Sequence, residues 1–224
     1  MHQEAIKNGE YMEQGDLIER KSDELATVLA QGNRELQKMF RYLIREAIRN
    51  VPEHAGTNEV WICGQYWHNR DKAEIAILDE GIGVYESLKQ NRIHREYVTN
   101  NAEALRWAIK PGISVAFNPA RGQRSQDTWA NSGYGLFMIS EICKATNGWL
   151  TFVSGDNCLR IYPNGSGLYG VHFKGTALGI QIRPSQVVNC QALIDSVRLS
   201  GESTAKTIKN SFKGASVPSK GLMF

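Results

Sequence analysis

Leu36, Met39, Phe40, Leu43, Ile44, Ala47, Ile48 and Val51 recur at steps of three and four residues. On a 3.6-residue period that spacing makes one continuous apolar stripe, so a helix over 36–51 is predicted to face a core. Pro52 should end or kink it at Val51. Upstream, Leu17, Ile18, Leu25, Val28 and Leu29 mark a shorter helix, with Asp16 and Glu19 as its capping box and Gly32 at its end. Residues 1–15 are polar and unpatterned. Residues 60–63 and 74–78 read as strands joined through a polar turn at 68–72. The pattern then weakens from Val84 to Ser132, with short helices predicted at 85–89 and 102–109, the second closed by Pro111 and Gly112. A polar, small-residue stretch at 118–131 follows; such lengths between ordered regions are functional lids or disordered segments. Leu136, Ile139, Ile142 and Cys143 restore a helical spacing, closed by Asn147 and Gly148. Strands are predicted at 149–154, 158–162, 169–173 and 177–183, with hairpin turns at 155–156 and 163–165. A helix at 186–199 and a mobile Ser/Lys/Gly-rich tail from Gly201 complete the chain.

Helices concentrated early and strands late favour an α+β fold, with helices on one face of a mixed, mostly antiparallel sheet. Residues 1–35 read as an N-terminal extension, 36–184 as the main domain and 185–224 as a C-terminal helix and tail. At 224 residues, 42% hydrophobic and 22% charged, the chain can bury a full core. The net charge of +3 does not by itself indicate nucleic acid. No apolar run approaches the ~20 residues of a membrane span, and the N-terminus lacks a signal-peptide core. The expected location is therefore cytoplasmic, with no membrane partner. Cys63, Cys143, Cys158 and Cys190 are widely spaced, and three lie in apolar segments, as buried free thiols in a reducing compartment would.

The candidate chemistry starts late in the first strong helix. Glu46 and Asn50 stand one turn apart at the edge of the apolar stripe, about 5–6 Å between Cβ atoms. That leaves room for a water and a hard cation: a carboxamide oxygen with phosphate oxygens suffices for Mg²⁺, and the carboxylate can orient an attacking hydroxyl. Taken alone, the pair reads as a wet helix edge, and the functional reading needs partners. Asp79-x-Gly81-x-Gly83 at a strand end is either a tight turn or a site in which the carboxylate accepts from an adenine amino group. Gly133-x-Gly135-Leu136 opens a helix whose free N–H groups could receive phosphates, and no P-loop occurs in the chain. Arg121 and Arg124 read as solvated loop charges or γ-phosphate contacts, and His54 as a helix-end cap or a neighbour of the metal.

The order E-x-x-x-N, D-x-G-x-G, G-x-G-L and then Gly175–Thr176 resembles the gyrase/chaperone/histidine-kinase/MutL (GHKL) ATPase superfamily over roughly residues 36–183. The resemblance implies a Bergerat fold binding Mg²⁺ and ATP under a lid at 84–132. It places Glu46 as general base, Asn50 on Mg²⁺, and Asp79 on adenine with Gly81 and Gly83 beside it. Gly133, Gly135 and Leu136 match the phosphate loop at the lid's end, and Thr176 the hydroxyl that helps hold adenine. Glu53 stands where sensor histidine kinases carry a basic residue, no histidine precedes Asn50 in the helix-rich segment 16–51, and His94 falls inside the lid. The chain is most similar to anti-sigma-type serine kinases and stand-alone bacterial ATPase domains. The implied activity is ATP hydrolysis or phosphotransfer to a protein. Alternatives are an ATP-gated interaction switch with little turnover, or the detached catalytic domain of a histidine-kinase-like system. A protein partner or phosphoacceptor is expected, no nucleic acid is indicated, and a homodimer is left open.

Overall fold

The computed structural model describes residues 11–57, 59–115, 117, 132–216 and 218–220. Among the described residues, six α-helices and one four-stranded sheet make an α+β architecture. In chain order the elements are α1 (Tyr11–Ala30), α2 (Arg34–Asn50), β1 (Trp61–Trp67), β2 (Lys72–Asp79), α3 (Gly83–Lys89), α4 (Asn101–Ala108), α5 (Gly135–Ala145), β3 (Trp149–Tyr162), β4 (Gly165–Ile182) and α6 (Cys190–Thr207). The strand order is β1-β2-β4-β3, and every pairing among the described residues is antiparallel, where a mixed sheet was expected.

Alternation along the strands decides which face is buried. Ala73, Ile75 and Ile77 of β2, Leu150 and Phe152 of β3, and Leu178, Ile180 and Ile182 of β4 point under the helices, and all are buried. The stripe of α2 (Leu36, Met39, Phe40, Leu43, Ile44, Ala47, Ile48) supplies the facing layer and is buried throughout. The opposite face is less covered: Trp61 is 44% exposed, and the Lys72 ammonium lies over the Trp67 and Trp149 rings.

Several sequence expectations are corrected. α1 is already helical at Tyr11, so Asp16 and Glu19 lie within it rather than capping it. Glu19 instead reaches across to α2, pairing with Arg41 at 3.0 Å and Arg45 at 3.3 Å. The predicted strands at 149–154 and 158–162 form one strand, as do those at 169–173 and 177–183. Gly155 and Asp156 are a bulge, not a turn: Gly155 takes φ +63° where the β3–β4 register shifts. The C-terminal helix runs to Thr207, eight residues past its expected end, because Val197, Gly201 and Ala205 continue the buried face. The segment after it is packed rather than loose: the Phe212 N–H donates to Gly112 O at 2.9 Å and the Ser216 N–H to Ser132 Oγ at 2.7 Å. Cys143, Cys158 and Cys190 are buried, Cys63 is exposed, and all four are free thiols. Among the described residues no helix is long and apolar enough to cross a membrane.

Candidate functional site

Strand register builds the floor of a cleft. Asp79 pairs with Thr176, and Thr176 with Ser154, giving a polar row across β2, β4 and β3 at one end of the sheet. One step inward on the same face, Ile77, Leu178 and Phe152 make an apolar row. Above these rows lies a cleft that is partly open to solvent. Asn50, Asp79, Gly83, Gly133, Gly135, Leu136 and Thr176 all line it, together with His54. Seven of the nine residues picked from the sequence therefore meet in one cavity, from segments up to 126 positions apart. The apolar walls are added by Val84, Leu88, Ala108, Ile113 and Val115.

Asp79 sits at the strand end, 5% exposed. Burial pushes its carboxyl above the ordinary range, and backbone N–H groups of Gly81 and Thr176 oppose that by donating to it. The Gly81 contact is 2.8 Å. Gly81 itself lies outside the cleft lining and serves by being small. A Cβ there would lie 2.1 Å from Ala55 O, the carbonyl that accepts from the Ile82 N–H at 2.8 Å. Ala55 is delivered by a feature absent from the sequence reading. After Asn50 the chain does not break at Pro52 but widens into a π-helical turn, Val51–Ala55, ended by Gly56 at φ +65°. Pro52 falls in the turn's first residues, where its missing N–H matters least.

Asn50 is oriented by its own helix: its Nδ2 donates to Glu46 O at 2.9 Å. That leaves the acceptor oxygen Oδ1 for a group in the cleft. Glu46 is placed differently. It is 2% exposed and is not part of the cleft wall. Its Oε1 receives Arg45 Nε at 3.3 Å and Nη2 at 3.1 Å, with Arg49 Nη1 at 3.5 Å. Its Oε2 accepts from Ser219 Oγ at 3.0 Å. Arg45 is fully buried, and its guanidinium is held charged by Glu46 and Glu19 against the cost of desolvation. Glu46 nevertheless borders the cleft through α5, since a Cβ on Gly135 would lie 3.0 Å from Oε2.

Gly133 takes φ +71°, and a Cβ there would lie 2.2 Å from Ile113 O. Its carbonyl accepts from the Gly112 N–H at 3.1 Å, drawing the two ends of the 113–132 stretch together as a neck. The stretch expected to be a lid thus divides. α3 and α4 pack into the core through Leu88, Ala104 and Leu105, while 118–131, with Arg121, Arg124 and Trp129, lies outside the described residues. Asn91 ties the near side down, its Nδ2 donating to Val115 O at 2.7 Å and Phe117 O at 2.9 Å. His94 is buried, its Nε2 donating to Ser114 O and its Nδ1 accepting from Trp107 Nε1, a role that leaves no ring nitrogen for phosphoryl transfer.

Ser154 was missed by sequence reasoning. Its Oγ accepts from the Val84 N–H at 3.0 Å and donates to Gly175 O at 2.7 Å, joining the Asp79 turn to the Gly175–Thr176 strand. The available signal was a small polar residue at an inward position after Leu150 and Phe152, but its partner depends on register. Ser219 was missed because nothing near it in sequence is periodic.

Several of these groups could hold a nucleotide and a Mg²⁺ ion. The cleft lining offers apolar side chains, a buried carboxylate acceptor, a glycine-led helix start and a carboxamide oxygen. Among the described residues no group of three or more His, Cys, Asp or Glu side chains could hold a metal, so Mg²⁺ would draw most ligands from phosphate and water. No protein-family model matches the chain, and no curated protein is found similar to it.

Proposed function

We propose that this chain is a cytoplasmic Bergerat-fold ATP-binding domain of the GHKL type that hydrolyses Mg·ATP or transfers its γ-phosphate to a protein. One observation carries the reading: residues of four separate sequence motifs line a single cleft. Asp79 accepts from the adenine amino group, with Thr176 beside it and Ile77, Leu178 and Phe152 under the ring. The free N–H groups at the start of α5 face the phosphates, where the helix dipole favours negative charge. Asn50 Oδ1 is the protein's oxygen ligand for Mg²⁺, which when bound neutralises phosphate charge. The neck at Gly112 and Gly133 marks the base of the ATP lid.

Calorimetric titration with Mg·ATP tests this directly. Asp79→Asn should weaken binding about tenfold or more, the worth of one hydrogen bond to a charged acceptor. GTP should bind more weakly still, because it presents a carbonyl to the Asp79 carboxylate. Equal affinity in the variant would remove the core of the reading. A second reading, an ATP-gated interaction switch with little turnover, is favoured by one feature: both oxygens of Glu46 are engaged. Phosphate release at saturating Mg·ATP separates the two.

A further inference from the structure

We propose that Ser219 is an internal phosphoacceptor, its hydroxyl receiving the γ-phosphoryl group of the nucleoside triphosphate held in the cleft. This rests on the nucleotide-binding reading above. Ser219 Oγ donates to Glu46 Oε2 at 3.0 Å, within the range that joins a nucleophile to its base. The base is oriented in turn by Arg45 and Arg49 on its other oxygen. Serine, carboxylate and guanidinium therefore form a relay, and Ser219 and Glu46 are 1% and 2% exposed.

The relay abuts the phosphate end of the cleft. Gly135, the first residue of α5, lines the cleft and adjoins Glu46, since a Cβ there would lie 3.0 Å from Glu46 Oε2. The serine is also delivered rather than merely nearby. Tyr42 Oη donates to Ser219 O at 3.2 Å, and Ser216 Oγ lies 3.3 Å from Ser219 Oγ. The same tail grips both sides of the neck, through the Phe212 N–H to Gly112 O and the Ser216 N–H to Ser132 Oγ.

In the step, Ser219 Oγ bonds to the γ-phosphorus, the bond from that phosphorus to the β,γ-bridging oxygen breaks, and the nucleoside diphosphate leaves with that electron pair. The serine proton passes to Glu46. Little covalent chemistry is demanded of the protein, and positioning dominates, which suits a carboxylate held by two arginines. Once Glu46 has released that proton to solvent, the product sets a dianionic group against a carboxylate in a buried setting, and like-charge repulsion then drives the tail off.

The test incubates the full chain with Mg·ATP and maps phosphate by peptide mass, with nucleotide affinity measured in parallel by calorimetry. One phosphoryl group is expected on Ser219. It is lost in Ser219→Ala, retained on the new residue in Ser219→Thr, and formed about 10²-fold more slowly in Glu46→Gln. Without nucleotide, Ser219→Asp should speed tryptic cleavage at Lys213 at least about tenfold over both wild type and Ser219→Ala, the repulsion standing in for the phosphate. Nucleotide binding with no phosphate on Ser219 overturns the proposal and leaves the nucleotide reading intact. Phosphate that persists in Ser219→Ala overturns it as well, and absence of binding overturns both. Cleavage of Ser219→Asp at the wild-type rate overturns tail release.

Discussion

Replacing Glu46 by alanine would ordinarily be the first probe of a candidate base, but here it should unfold part of what it is meant to test. Glu46 lies against the fully buried Arg45 at 3.1 Å and Arg49 at 3.5 Å. Removing one partner of a buried pair leaves a charge in a low-dielectric setting and costs about 3–5 kcal/mol. Glu19, 3.3 Å from Arg45, offsets part of this, so the lower half of that range is expected. For a chain of this size, each kcal/mol lowers the melting temperature by about 2–4 °C, which gives a fall of roughly 6–16 °C. Glu46→Gln keeps the volume and an acceptor for Ser219, and weakens charge-assisted hydrogen bonds by about half, so about 1–2 kcal/mol is expected. Urea unfolding of wild type, Glu46→Ala, Glu46→Gln, Arg45→Met and the Arg45→Met/Glu46→Ala double variant measures these losses. The cycle should return a coupling of about 1–3 kcal/mol that changes little between low and high salt, because a buried pair is poorly screened. A Glu46→Ala loss within about 0.5 kcal/mol of wild type, or a coupling that vanishes in salt, would refute the buried-pair argument. It follows that Glu46→Gln, not Glu46→Ala, is the variant in which to read turnover.

Three further outcomes are expected. Gly81→Ala drives a Cβ to 2.1 Å from Ala55 O, and overpacking against backbone should cost about 1–3 kcal/mol in urea unfolding and weaken Mg·ATP binding; wild-type values for both would disprove the close approach. Burial holds the His94 imidazole below its ordinary value near 6.5 despite the hydrogen bond to Ser114 O, so the unfolded chain binds its proton first as pH falls. Its contribution to stability is therefore complete above about 6.5 and declines as pH drops from there toward the depressed native value. His94→Gln, which keeps a donor for Ser114 O, should flatten that part of the stability–pH curve, and an unchanged curve would rule His94 out as its source. Burial pushes the Cys143 and Cys190 thiols up to about 12 and also raises Cys158, whereas Cys63 is exposed. An aromatic disulfide reagent should accordingly modify one thiol per native chain, and rapid reaction of more than one would contradict the packing.

The sequence by itself determined the elements whose periodicity is strong. The stripe from Leu36 to Ile48 is α2, and the inward alternation of Ile75 and Ile77 is β2, because burial on one face imposes a period that local composition records. It also picked out Asn50, Asp79 and the glycines that line or border the cleft, since residues needing φ > 0 or a close backbone approach must be glycine whatever surrounds them. What it could not contain is anything set by register or by contacts between distant segments. The row Asp79–Thr176–Ser154 exists only because three strands align at one residue offset. The bulge at Gly155 looked like a turn because a positive-φ glycine serves both. The π-turn beyond Asn50 reads locally as a proline stop, and only the docking of Ala55 O onto Ile82 N reveals its use. Glu46 changed most between the two views. On the helix it is an edge carboxylate, but Arg45, Arg49 and a serine 173 positions away converge on it, and that convergence is a property of the tertiary fold alone.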